Sequence, residues 1–165
     1  MAYAVTHILV PIVLLDLLRH YYFGAKKFPR YLLVVGGIAG MVPDIDIPLG
    51  WVYAWLTNTV IDIHGLYTHS LFFPIVFVFG AIYFDYIANE KWRNICYVIA
   101  FGWFMHILLD WSYGEYKALF WPFFYTDPGL FPPWQIWVYS AAIYAILLTL
   151  WIIHEEVHGY IKDYF

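Results

Sequence analysis

Charge is scarce in this chain, and positive charge scarcest of all. Only 12% of its 165 residues are charged and only eight are Lys or Arg, whereas a soluble domain carries about 25% charged residues. The stretches from Tyr31 to Glu90, Asn94 to Tyr116 and Ala118 to Ile161 contain no basic residue. A formal charge of −4 with so few cations excludes a nucleic-acid-binding surface. The single cysteine, Cys96, excludes a disulfide within the chain, and its apolar setting reads as an inert thiol. No linker, low-complexity tract or repeat divides the sequence, so residues 1–165 read as one integral membrane domain. Met1 to Val10 lacks a basic leader region and a small-residue cleavage pattern, so it reads as a retained helix that keeps His7.

What is present instead is apolar: 64% of residues are hydrophobic and 24% are aromatic. A water-soluble fold cannot hide that much apolar surface, and lipid is the solvent that tolerates it. The expected architecture is an all-α, polytopic transmembrane helical bundle of about five spanning helices plus one short interfacial or re-entrant helix. The runs read as helices over Tyr3–Tyr22, Tyr31–Val42, Ser70–Ala88, Trp92–Trp111 and Trp134–Ile153, with Trp51–Ile61 as the short piece. The second run is stopped by Pro43-Asp44-Ile45-Asp46-Ile47-Pro48 after only about 18 Å of helix. The flanking prolines predict an extended turn for the two aspartates.

Basic residues in short loops orient such a bundle. Arg19, Lys26, Lys27, Arg30, Lys91, Arg93 and Lys162 fall at one face, and only Lys117 falls elsewhere. The expected topology has an external N-terminus and a cytoplasmic C-terminus. Cysteine labelling from outside should therefore reach a probe at Gly129 and miss one at Lys27; the reverse pattern would invert the orientation.

That topology, built without reference to any His or Asp, collects ionisable residues at one level. His7, Asp44, Asp46, His64, His69, His106 and Asp110 all fall near the outer ends of their segments. Ionisable groups at membrane depth are costly and point to function. His106 and Asp110 are four apart, so a helix presents both on one face. Taken singly, His7 or His64 reads as an interfacial hydrogen-bonding residue, Asp44 as a helix cap, and Thr68 or Ser70 as the cap of the following helix. Taken together, the seven read as one metal site. An all-nitrogen-and-oxygen ligand set suits zinc, with manganese as the alternative, and Asp can bridge ions, so one to three divalent metals are expected. A metal that lowers the pKa of water makes hydrolysis the natural reaction class.

Five short pieces carry a family resemblance: Thr6-His7, Pro43-Asp44-Ile45-Asp46, His64-Gly65-Leu66-Tyr67-Thr68-His69-Ser70, His106-Ile107-Leu108-Leu109-Asp110 and Leu119-Phe120-Trp121-Pro122. In order and spacing the chain resembles the membrane-bound metal-dependent hydrolases of the YdjM-like family, also described as LexA-binding inner-membrane-associated hydrolases. The resemblance implies all seven His and Asp residues as the metal and active-site set, with Asp44, Asp46 and His69 as the expected catalytic members. The family usually has Arg where this chain has Gly65, and often His where it has Ile47. More loosely, the arrangement is similar to the zinc-dependent phospholipase C and P1 nuclease group, which implies a phosphoesterase. The expected function is hydrolysis of a phospholipid or other lipid phosphoester near the outer face, with membrane lipid as partner. A regulatory protein partner is compatible with the sequence, and the oligomeric state is not fixed by it.

Two rival readings remain. His154-Glu155-Glu156-Val157-His158 is an H-E-x-x-H pattern, in which His154 and His158 would bind zinc and Glu155 act as base in an intramembrane peptidase. Alternatively, the outer carboxylates and imidazoles bind or transport an ion without chemistry.

Overall fold

The computed structural model describes residues 4–60, 64–65, 67–112, 118–123 and 137–159, with the side chains of 137–141 left out. Its elements are α1 (Ala4–Leu18), α2 (Tyr31–Ala39), α3 (Asp46–Thr57), α4 (Phe72–Tyr86), α5 (Glu90–Ser112) and α6 (Trp137–Val157). No strand occurs among the described residues. The all-helical character follows from the solvent, because in lipid every backbone N–H and C=O must be satisfied within the segment.

Helix α1 continues into a π-helical turn, Arg19–Phe23, closed by a bond from Gly24 N–H to Arg19 O at 2.9 Å. Gly24 has a φ of 80°, which a residue without Cβ adopts freely, and the chain turns away there. A 3₁₀ turn, Val42–Ile45, joins α2 to α3. The aspartates are therefore not on an extended turn. Pro43 sits at the start of the 3₁₀ segment and Pro48 in the first turn of α3, where an absent N–H loses no intrahelical bond, so helix runs through both. Asn58, with a φ of 54°, ends α3 four residues before the expected boundary at Ile61.

Among the described residues, two helical stretches, Ala4–Phe23 and Glu90–Ser112, are long and apolar enough to cross a membrane. The pair Tyr31–Ala39 and Val42–Thr57, bent by 49°, makes a third if it is one broken span. Among the described residues, length and composition thus support two or three spans and do not confirm five. Helix α4 has only 15 residues, against roughly 20 for a straight crossing.

Glycines set the packing. A Cβ on Gly36 would lie 2.2 Å from Leu15 Cδ1, and one on Gly102 would lie 2.4 Å from Gly36 O. A Cβ on Gly40 would meet the His7 carbonyl oxygen at 2.0 Å. Helices α1, α2 and α5 therefore meet backbone to backbone, the small-residue contact that membrane helices use in place of a hydrophobic drive. Leu15, Phe28, Leu32, Leu33 and Val98 fill the core beside this seam. Large apolar side chains face outward along α3 and α4, as a lipid-facing surface requires.

Candidate metal centre

The glycine seam brings the N-terminal end of α1 against the C-terminal ends of α2 and α5. His7 and His106 then stack with ring centroids 3.8 Å apart. Helical periodicity places Asp110 one turn beyond His106, with His106 Nε2 to Asp110 Oδ2 at 3.3 Å. His7 Nε2 lies 3.2 Å from the other oxygen, Asp110 Oδ1. The 3₁₀ turn contributes Asp44, whose Oδ1 is 3.4 Å from His106 Nε2 and 3.5 Å from His69 Nε2.

His69 is delivered by the segment between α3 and α4, held from two sides. Trp103 Nε1 on α5 donates to Thr68 O at 2.8 Å. Ser70 Oγ donates to Trp121 O at 2.6 Å, and Leu71 N–H donates to Leu119 O at 2.9 Å. His69 and His106 are completely buried, and Asp110 and His7 nearly so. Asp44 and His64 are the most open members, with side chains 17% and 20% exposed.

The partners of each ring determine which nitrogen carries the hydrogen. His106 Nδ1 lies 2.7 Å from Gly40 O, an atom that can only accept, so Nδ1 is the donor and the neutral ring presents a lone pair at Nε2. Thr68 Oγ1 donates to Asp46 Oδ2 at 3.0 Å. His69 Nδ1 faces that carboxylate at 3.3 Å and Thr68 Oγ1 at 3.1 Å, which puts its hydrogen on Nδ1 as well. The two Nε2 atoms then meet at 3.0 Å with lone pairs on both sides. With both rings neutral, His69 Nε2, His106 Nε2, Asp44 Oδ1 and Asp110 Oδ2 converge as four acceptors. Such a group could hold a cation.

Its size fits a metal. Metal–ligand bonds of about 2.0–2.1 Å in a tetrahedron give ligand separations of roughly 3.3 Å, and five of the six edges here measure 3.0, 3.3, 3.4, 3.5 and 3.6 Å. Asp46 stands behind this group: its carboxylate takes His69, the Thr68 hydroxyl, the Gly65 N–H at 3.2 Å and His64 Nδ1 at 3.0 Å. That is the carboxylate-on-imidazole support that orients metal-binding histidines. His7 Nδ1 is buried without a hydrogen-bond partner among the described residues.

All seven residues expected from the sequence therefore lie in one connected group. Thr68 is a bridge between Asp46 and His69 and not a cap, while Gly40 and Trp103 escaped sequence reading. The Gly36-x-x-x-Gly40 spacing was the signal for Gly40. Gly65, where the family usually has Arg, has a φ of 79°. Every described Lys or Arg lies at the other end of the bundle, on Arg19 to Arg30 or on Lys91 and Arg93. Among the described residues, no Lys or Arg thus accompanies the three carboxylates of the site.

The H-E-x-x-H segment forms a second group at that other end. His20, His154 and Glu155 offer ligand atoms within 4.8 Å of one another. Glu155 Oε1 lies 3.5 Å from His20 Nδ1 and 3.3 Å from His154 Nδ1. His158 instead donates its Nδ1–H to His154 O at 2.8 Å, so that nitrogen is used on the helix backbone. Here hydrogens are supplied. Arg19 Nη1 donates to His20 Nε2 at 2.9 Å, which leaves the His20 hydrogen on Nδ1 facing Glu155 and Asp16, and Trp151 Nε1 donates to Asp16 at 3.0 Å. Unlike the first, this second group contains an arginine among the described residues.

A family model described as YdjM inner membrane protein matches residues 1–161. No curated protein and no solved structure matches the chain.

Proposed function

The chain belongs to the YdjM inner membrane protein family, and from that footing we propose that it is a membrane-embedded metal-dependent hydrolase acting on a phospholipid or other lipid phosphoester. The observation that carries this reading is the buried convergence of His69 Nε2, His106 Nε2, Asp44 Oδ1 and Asp110 Oδ2 at tetrahedral-edge distances. These four would hold a divalent ion, zinc before manganese, and Asp110 Oδ1 with His7 offers room for a second. A divalent ion held there would supply Lewis acidity and an activated water at neutral pH. Asp46 fixes the orientation of His69, Gly40 O that of His106, and Thr68 bridges Asp46 and His69.

Lipid is favoured as substrate by access. The site is most open at Asp44 and His64, where α3 leaves the 3₁₀ turn. Helix α3 exposes Leu49, Trp51, Val52, Trp55 and Leu56, the composition of a helix lying at the headgroup level. The aromatic stretch from Trp121 to Trp134, which on sequence would cover the site, lies mostly outside the described residues. In this reading α4 and α6 complete a five-span bundle, with the N-terminus and the metal centre outside.

Two measurements test it. Purified protein should carry at least one equivalent of zinc or manganese, and His106→Ala should lose most of it while remaining folded in detergent. The metal-loaded protein should release headgroup or phosphate from phospholipid in mixed micelles. Full metal occupancy in His106→Ala would remove α5 from the site; metal binding without turnover of any phosphoester would favour an ion-binding protein.

A further inference from the structure

A crevice of about 740 Å³ opens at the basic end of the bundle, away from the metal centre. Its lining on α5 is Glu90, Arg93, Asn94, Tyr97, Val98 and Phe101. These positions, at spacings of three and four, make one helical face that grades from charged to apolar over roughly 16 Å. Leu15 and Leu18 of α1 form the facing wall, and Phe23 and Phe28, stacked at 5.5 Å, close one end. The apolar floor reaches the core through Leu15, Phe28 and Val98.

The rim is charged in a particular way. It carries two cations, Lys27 and Arg93, and two anions, Asp85 and Glu90. Arg93 Nη1 donates to Asp85 at 2.8 Å, and Lys27, an exposed side chain, is the other cation of the rim among the described residues. A mouth of balanced charge over an apolar floor matches an amphiphile whose head bears both signs, and matches neither a purely anionic nor an uncharged one.

We propose that this crevice holds one phospholipid with a zwitterionic, ammonium-bearing headgroup. An acyl chain lies along Tyr97, Val98 and Phe101, the phosphate sits between Lys27 and Arg93, and the ammonium turns to Glu90 and Asp85. This lipid is not the substrate of the metal centre, because Arg93 and Asp110 are separated by roughly 25 Å along α5. The site is independent of any hydrolytic reading.

Titration of delipidated protein in detergent micelles with phosphatidylethanolamine or phosphatidylglycerol, followed by native mass spectrometry, tests the assignment. A one-to-one adduct is expected with phosphatidylethanolamine, bound severalfold more tightly than phosphatidylglycerol. Lys27→Glu should weaken that adduct roughly tenfold or more, as reversal of an interfacial charge does. Leu18→Trp should abolish it by filling the chain path, while metal content stays at the wild-type value in both variants. Lys27 is exposed, so its variant retains the fold even where Leu18→Trp does not. Equal or tighter binding of phosphatidylglycerol, the absence of a discrete adduct, or unchanged binding in either folded variant would overturn the proposal.

Discussion

Asp44→Asn is expected to lower phospholipid hydrolysis in mixed micelles by about a thousandfold or more, while Glu155→Gln leaves the rate near wild type. Asp44 Oδ1 is one of the four converging atoms, 3.4 Å and 3.5 Å from the two histidine nitrogens. An amide has the carboxylate's shape but not its charge, and it can turn an N–H into the hole. The centre would lose a ligand and a negative charge, and several kcal/mol of metal-based stabilisation correspond to about three decades in rate. Glu155 belongs to the far group, where Arg19, Trp151 and the histidines already supply hydrogens. An amide there keeps the packing of α6 on α1 and touches no reacting group. Loss of activity in Glu155→Gln alone would transfer the chemistry to the H-E-x-x-H segment.

Gly40→Ala should be damaging without removing any ligand. The new methyl would lie 2.0 Å from His7 O, 3.1 Å from His7 C and 3.2 Å from Pro11 Cγ, so the obstacle is backbone and α1 must move away from α2. Overpacking of this kind costs about 1–3 kcal/mol. The displacement also moves His7 and the carbonyl that orients His106, and disturbing such support typically weakens metal affinity about 10–100-fold. Gly80→Ala is the matched control, since its methyl would meet only Cys96 Sγ at 3.5 Å. It should melt at or slightly above the wild-type temperature, because alanine favours helix over glycine by about 1 kcal/mol. Thermal unfolding and metal content, measured in one detergent for the three proteins, read both effects. A Gly40→Ala protein with wild-type melting and full metal would sink the idea that backbone contact assembles the centre.

The sequence by itself determined the solvent and the level of the site. Charge depletion and apolar runs require helices in lipid, and the cost of burying His7, Asp44, Asp46, His64, His69, His106 and Asp110 singly makes their common level informative. The i, i+4 relation of His106 and Asp110 was legible because it depends only on helical period. Tertiary structure decided the division of labour. Asp44 and Asp46 are equivalent in sequence, two apart between prolines, yet the 3₁₀-to-α transition turns Asp44 into the hole and Asp46 onto the back of His69. Likewise Thr68, Gly40 and Trp103 act through contacts with residues 22, 66 and 35 positions away. His154, Glu155 and His158 match a metal motif in sequence, but the hydrogen on a ring depends on its neighbours in space. His158 is turned onto the His154 carbonyl one helical turn back, and the His154 ring onto Glu155 and onto Tyr21, 133 residues away in sequence. Local pattern decides which residues lie at one depth; which lone pairs face one another is a property of helices packed in contact.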